Sequence, residues 1–248
     1  MQKTSKKPFS LNPISLLLDS LRDFKAQFVK ILLVSAVVAI PGSILRVITF
    51  DNGVTDFSIV ASIAGLYASL ALLYAFAQPA KLKKNSWAKT YVESSGRFLP
   101  YLGVTILQGA VALVSILGLL VPVLVISDVV SPVFGLFGVA AGLITLWLLI
   151  KLSLASVITA TTPLGVLAAL RASWLGTKKH FWPLLFAWMC ILVAIIVVSG
   201  IILSGVYAMP TFANNQLIIA LVNGILVSFI LPVVIGYAVH IWNRIKQT

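Results

Sequence analysis

The sequence predicts an all-α integral membrane protein with six transmembrane helices, grouped as three repeats of an amphipathic interfacial helix plus a transmembrane hairpin. Three observations carry this. Of the 248 residues, 60% are apolar and 10% charged, with a mean hydropathy of +1.09, against roughly 45–50% and about 25% in a soluble domain. Six apolar runs reach the roughly 20 residues that a helix needs to cross about 30 Å of hydrocarbon. Sixteen of the eighteen Lys and Arg fall on one side of these runs, in the two terminal segments and every second connection. A folded surface this apolar does not stay dispersed in water, so a soluble enzyme, a nucleic-acid-binding domain and a disordered tail are excluded as the main reading.

The elements follow in order. Residues 1–11 form a basic tail with Lys3, Lys6 and Lys7. No cleavable signal is expected, because the first apolar run is too long for a signal-peptide core. Asn12 and Pro13 suit the N-cap and first turn of a helix. Ile14, Leu17, Leu18, Leu21, Phe24 and Phe28 then recur at helical spacing, with Asp19, Arg22, Asp23 and Lys25 between them. The spans are placed at 26–48, 57–79, 98–126, 133–160, 181–209 and 216–242. They do not alternate apolar and polar residues, as barrel strands would. Pro41, Pro122, Pro210 and Pro232 mark kinks or ends. The connections at 49–56, 127–132 and 210–215 are short. They carry acids (Asp51, Asp56, Asp128), with Arg46 just before the first of them. The other connections are basic: Lys81, Lys83, Lys84, Lys89 and Arg97, then Arg171, Lys178 and Lys179, then Arg244 and Lys246. The positive-inside rule sets both termini in the cytoplasm and the chain in a cell inner membrane.

Two further segments read as interfacial helices. One has Trp87 and Tyr91 among lysines. The other follows Thr162-Pro163 with Leu164, Leu167, Leu170 and Trp174. Arg97-Phe98-Leu99-Pro100-Tyr101-Leu102 matches His180-Phe181-Trp182-Pro183-Leu184-Leu185 in character, and Phe28 marks the looser equivalent before the first span. The chain is therefore read as one membrane domain, 1–248, of three repeats at about 12–79, 80–161 and 162–242. The competing reading is that basic, aromatic-rich turns recur in any membrane protein. Trp87, Trp174, Phe181 and Trp182 are expected as anchors at headgroup depth.

The stretch Pro163…Ala169-Leu170-Arg171-Ala172-Ser173-Trp174…Lys178…Phe181-Trp182-Pro183-Leu184-Leu185 resembles a group of prokaryotic six-span membrane proteins. That group includes the membrane domain attached to some glycerophosphoryl diester phosphodiesterases and related uncharacterised inner-membrane proteins. The likeness covers the whole chain in layout and this stretch in motif. The hydrolase of that group is a separate barrel of roughly 250 residues, for which this chain has no room, so the resemblance does not imply phosphodiesterase activity.

Chemistry is sparse. The acids are Asp19, Asp23, Asp51, Asp56, Glu93 and Asp128, none in the middle of a span. His180, His240 and Cys190 have no metal-ligand spacing, and no phosphate loop is present. No catalytic, cofactor-binding or metal-binding residue is assigned, and no cofactor is expected. Lys151 is the one ionisable group well inside a run. It either snorkels or makes a structural contact, or it meets an anionic lipid or ligand. Arg97, Arg171, Lys178 and Lys179 are the other expected contacts to anionic lipid. The expected partners are membrane lipids, anionic ones above all, and a membrane or cytoplasmic protein; nucleic acid is not required by the +12 net charge. The leading expectation is a non-enzymatic protein of envelope or lipid homeostasis, or a membrane scaffold. The alternative is a transporter or permease-like subunit for a small or lipid-like molecule.

Overall fold

A computed structural model describes residues 11–52, 56–84, 86–125, 132–209 and 215–247. These are helical throughout, with no strand among them: α1 (Pro13–Ala26), α2 (Phe28–Asn52), α3 (Asp56–Ala77), α4 (Pro79–Lys84), α5 (Trp87–Ser95), α6 (Phe98–Val125), α7 (Pro132–Leu152), α8 (Ala155–Thr161), α9 (Val166–Lys178), α10 (Phe181–Tyr207) and α11 (Gln216–Ile245). Four stretches are long and apolar enough to cross a membrane: Phe28–Leu45, Gly142–Thr161, Phe181–Tyr207 and Gln216–Ile245. The pair α5–α6, bent by 77°, makes a fifth if counted as one span, and α3 holds a shorter apolar stretch, Ala61–Ala77. The basic tail's lysines, the side chains of Arg46, Asp51 and Asp56, and Asp128 and Pro210 lie outside the described residues.

The chain divides into two compact units, Met1–Phe98 with Trp182–Thr248, and Leu99–Phe181. In the first, α2 packs along α3 and α11. The α2–α11 crossing is close because Gly224 lacks a side chain: a Cβ there would stand 2.9 Å from Ile40 Cα and 3.2 Å from the Ala39 carbonyl oxygen. Pro41 and Pro232, expected to mark kinks or ends, end neither helix and lie inside α2 and α11. Pro232 has no N–H to give the Ser228 carbonyl four residues back. Ser35 Oγ on α2 donates to that carbonyl instead, at 2.8 Å, with both serines buried.

In the second unit the span expected at 133–160 carries a short interruption, at a place where no kink was marked, although Gly142–Thr161 remains long and apolar enough to cross. The helix stops at Leu152 and resumes as α8 at Ala155. Helix ends leave carbonyls without intrahelical partners, and those must be met in an apolar setting. Here they are met one by one. Ser153 Oγ donates to Ile150 O (2.8 Å), Ser173 Oγ to Lys151 O (2.7 Å), and Gln108 Nε2 to Leu152 O (2.5 Å). Gln108 thus bridges α6 to the break. Thr162 then turns extended (φ −127°, ψ 148°), as a residue before proline must, and ends α8.

Helices lie in all three segments expected to be interfacial; α1 starts as predicted, whereas α9 begins at Val166, three residues after Pro163. Asn12 Oδ1 accepts from Ile14 N at 3.0 Å and caps α1, and Ser86 Oγ accepts from Lys89 N to cap α5. The inward faces of α5 and α9 are small and hydroxyl-rich, whereas that of α1 sets Ser20 between the large Leu16 and Phe24. Counting back eight and four residues from Phe28, Phe98 and Phe181 gives Ser20 and Phe24, Thr90 and Ser94, and Ser173 and Thr177. All six are buried. Other large apolar residues face outward: Ile14, Leu18 and Leu21 on α1, Val92 on α5, and Leu167, Trp174 and Leu175 on α9. A helix with this division sits against protein on its inward side and against an apolar medium on the other. Accordingly α1 packs on α11, α5 on α3, and α9 on α7 and α8.

Candidate functional site

The cationic side chains gather where the interfacial helices meet the ends of spans, in three separate clusters. Each is built from a helix terminus upward.

The first holds Lys151. Lys151, expected well inside a run, lies in the last turn of α7 because that helix stops at Leu152. A cation is favoured at a helix C-terminus, where carbonyls point outward. Its side chain is 4% exposed. Nζ stands 5.9 Å from the Trp147 ring centroid, 5.8 Å from Trp174 and 6.0 Å from Phe181. No carboxylate pairs with it among the described residues. Three π faces supply the negative potential that a counter-ion would otherwise give, at about 0.5–2 kcal/mol each. That matches the roughly 2.5–3.5 kcal/mol charged against a cation in a membrane helix. Trp147 and Trp174 stack edge to face at 5.0 Å, and Ser173 Oγ donates to the Lys151 carbonyl. Lys151 therefore joins span α7 to interfacial α9 through side chain and backbone alike. Two of the predicted anchors, Trp174 and Phe181, form its walls. Arg171, Lys178 and Lys179 are exposed beside it on and after α9.

The second cluster surrounds Tyr74 on α3. Lys81 Nζ lies 5.7 Å and Arg97 Cζ 5.6 Å from its ring centroid. Lys81 Nζ donates to the Tyr74 hydroxyl (3.2 Å), and that hydroxyl donates to Glu93 Oε2 (3.2 Å). Below it, Tyr67 Oη donates to the Tyr91 carbonyl and Tyr91 Oη to that of Val34, each at 2.7 Å, which fixes α5 to α3 and α2. The predicted anchor Trp87 stacks on Tyr91 and is partly exposed.

The third cluster was not foreseen. Ser15, Asp19 and Asp23 recur every four residues on α1, and His240 and Arg244 are four apart on α11. Arg244 donates to Asp19 Oδ2 at 2.8 Å and to Ser15 Oγ at 3.0 Å. His240 Nε2 stands 3.0 Å from Asp23 Oδ2, without an aligned hydrogen bond. Ser20 Oγ donates to Val233 O at 2.6 Å. The acids of α1, read as part of a polar outer face, therefore dock on α11. The matching four-residue spacing on two distant segments was the available signal.

Among electrostatic effects outside the spans, burial holds the His180 imidazole below its ordinary pKa, and Lys179 adds to this. Burial likewise lowers Lys246. Its ammonium lies 4.9 Å from the Trp242 ring centroid. The last predicted anchor, Trp182, is 74% exposed. Among the described residues no three His, Cys, Asp or Glu side chains converge to hold a metal. What the clusters can do chemically is hold cations at fixed positions, each on an aromatic ring or against an acid. In comparisons with known proteins the chain matches no family model, no curated protein and no solved structure.

Proposed function

We propose that this is a non-enzymatic multi-pass inner-membrane protein of envelope or lipid homeostasis, or a membrane scaffold, whose basic face contacts anionic lipid. The observation that carries the reading is the outward face of the interfacial helices. Apolar and aromatic side chains (Leu167, Trp174, Leu175) stand next to exposed cations (Arg171, Lys178, Lys179) on one short helix. Such a face lies at headgroup depth, where each basic residue is worth about 1 kcal/mol against an anionic leaflet. The reading includes six spans in three repeats with both termini cytoplasmic. The shared burial register before Phe28, Phe98 and Phe181 supports the repeats. So does the docking of each interfacial helix on the second span of a hairpin, α5 on α3, α9 on α7–α8 and α1 on α11.

The test is native mass spectrometry of the protein released from nanodiscs holding equal phosphatidylglycerol and phosphatidylethanolamine. Retained phosphatidylglycerol should exceed its share severalfold, and the triple variant Arg171→Gln, Lys178→Gln, Lys179→Gln should halve the excess or more. Retention in proportion to the bilayer would overturn the reading.

A further inference from the structure

An apolar groove of about 410 Å³ lies in the first unit, between α3 and the α5–α6 bend. It is lined by Ile63, Ala64 and Tyr67 of α3 and by Ser95 and Phe98 of the bend. Its size falls within the roughly 300–1,000 Å³ of small-molecule sites. The polar atoms near it are already engaged. The Tyr67 hydroxyl is spent on the Tyr91 carbonyl and Ser95 Oγ on that of Val92. The groove therefore offers shape and apolar surface, and nothing that would hold a polar solute.

Its surroundings are polarised along α3. Tyr67 and Tyr74 are seven residues apart, two turns and about 10 Å along the axis. Around Tyr74 stand Lys81 and Arg97, with Glu93 as the acid there among the described residues. Arg97 and Phe98 are chain neighbours that diverge at the bend. The guanidinium goes over the Tyr74 ring and the phenyl ring goes into the groove wall, 5.3 Å from Tyr67. Exposed Lys84 and Lys89 add two more positive charges on the same segment. An apolar slot with a cluster of net positive charge two turns toward one end has the polarity of one molecule type, an anionic phospholipid. A neutral hydrocarbon would leave the net positive charge of the segment uncompensated, and a soluble anion would leave the slot unfilled.

We propose that this groove is a discrete phospholipid site. One acyl chain lies between Ile63–Tyr67 and Ser95–Phe98, and the lipid phosphate meets Arg97 and Lys81. The proposal rests on the basic-face reading and narrows it to a lipid class and a place.

The experiment is photo-crosslinking of the full chain in nanodiscs with phosphatidylglycerol or phosphatidylethanolamine carrying a diazirine midway along one acyl chain, followed by peptide mapping. Label from phosphatidylglycerol should concentrate in peptides covering 61–67 and 95–102, at least threefold above the exposed surface of α10. Ile63→Trp, at a half-exposed position on the groove wall, should remove most of that label. Lys81→Gln with Arg97→Gln should bring the phosphatidylglycerol signal down to that of phosphatidylethanolamine. Label spread evenly over the lipid-facing helices of the unmodified chain would overturn the proposal, whatever the variants do. If phosphatidylglycerol excess persists by mass spectrometry while the groove stays unlabelled, the site fails and the basic-face reading stands. If neither lipid is preferred anywhere, both fail.

Discussion

Ser35→Ala removes the hydroxyl that answers the carbonyl orphaned by Pro232. Ser35 and Ser228 are each 1% exposed and the bond is 2.8 Å long, so no water replaces it. Stranding a buried carbonyl costs about 1–3 kcal/mol in soluble proteins. Hydrogen bonds between membrane helices measure lower, about 0.6 kcal/mol on average and up to about 1.7. A buried, short bond to an otherwise unpaired carbonyl belongs at the upper end, so a loss of about 1–1.5 kcal/mol is expected. The decisive version is a double-mutant cycle with Pro232→Ala. Alanine restores the backbone N–H that proline lacks, and the Ser228 carbonyl regains its helical partner. Ser35→Ala should then cost only a few tenths of a kcal/mol, giving a coupling near 1 kcal/mol. Reversible unfolding in mixed micelles, followed by circular dichroism, reads all four corners. An equal cost of Ser35→Ala with and without Pro232→Ala would refute the reasoning.

Three other outcomes are expected. Gly224→Ala should be less stable than Gly65→Ala by about 1–3 kcal/mol, read by the same unfolding assay. Both gain helix propensity, but only the first meets neighbouring backbone, while a Cβ at Gly65 meets nothing within 4 Å. Lys151→Met should fold with stability within about 1 kcal/mol of the parent and keep its retained lipid, because the cation–π attraction lost is offset by the charge no longer buried. Loss of lipid in that variant would mean that Lys151 holds an anion. Finally, a folded-state pKa below the unfolded value means that the unfolded chain binds more protons near pH 6. The contribution of His180 is therefore intact above about pH 6.5, the ordinary histidine value, and is lost as pH falls through the lower folded value. The thermal midpoint should drop on acidification across that window, and the drop should shrink in His180→Gln.

The sequence carries the all-helical character and four or five of the six expected spans, because lipid demands long apolar runs. Asn12 and Pro13 start α1 as local rules require. The break after Leu152 was not readable, since Leu152-Ser153-Leu154-Ala155 contains neither Pro nor Gly; what permits it is Gln108 and Ser173, distant in sequence, meeting the freed carbonyls. The same distance hid the setting of Lys151, whose aromatic walls come from α7, α9 and the start of α10. The α1–α11 cluster was hidden differently. Asp19 and Asp23 suit a solvated face as well as a docked one, and nothing local to α1 tells the two apart.

The division of the interfacial helices into an inner face and an outer one fixes where substitutions can accumulate. At Ser20, Ser94 or Ser173 a larger side chain must displace a neighbouring helix, and an alanine forfeits a hydrogen bond. At Ile14, Leu167 or Leu175 any apolar residue of similar bulk serves, since the bilayer adapts its packing to whatever it meets. On α9 mutational tolerance is thus highest at its largest and most hydrophobic residues, the reverse of a water-soluble helix, whereas α1 keeps Leu16 and Phe24 packed inside.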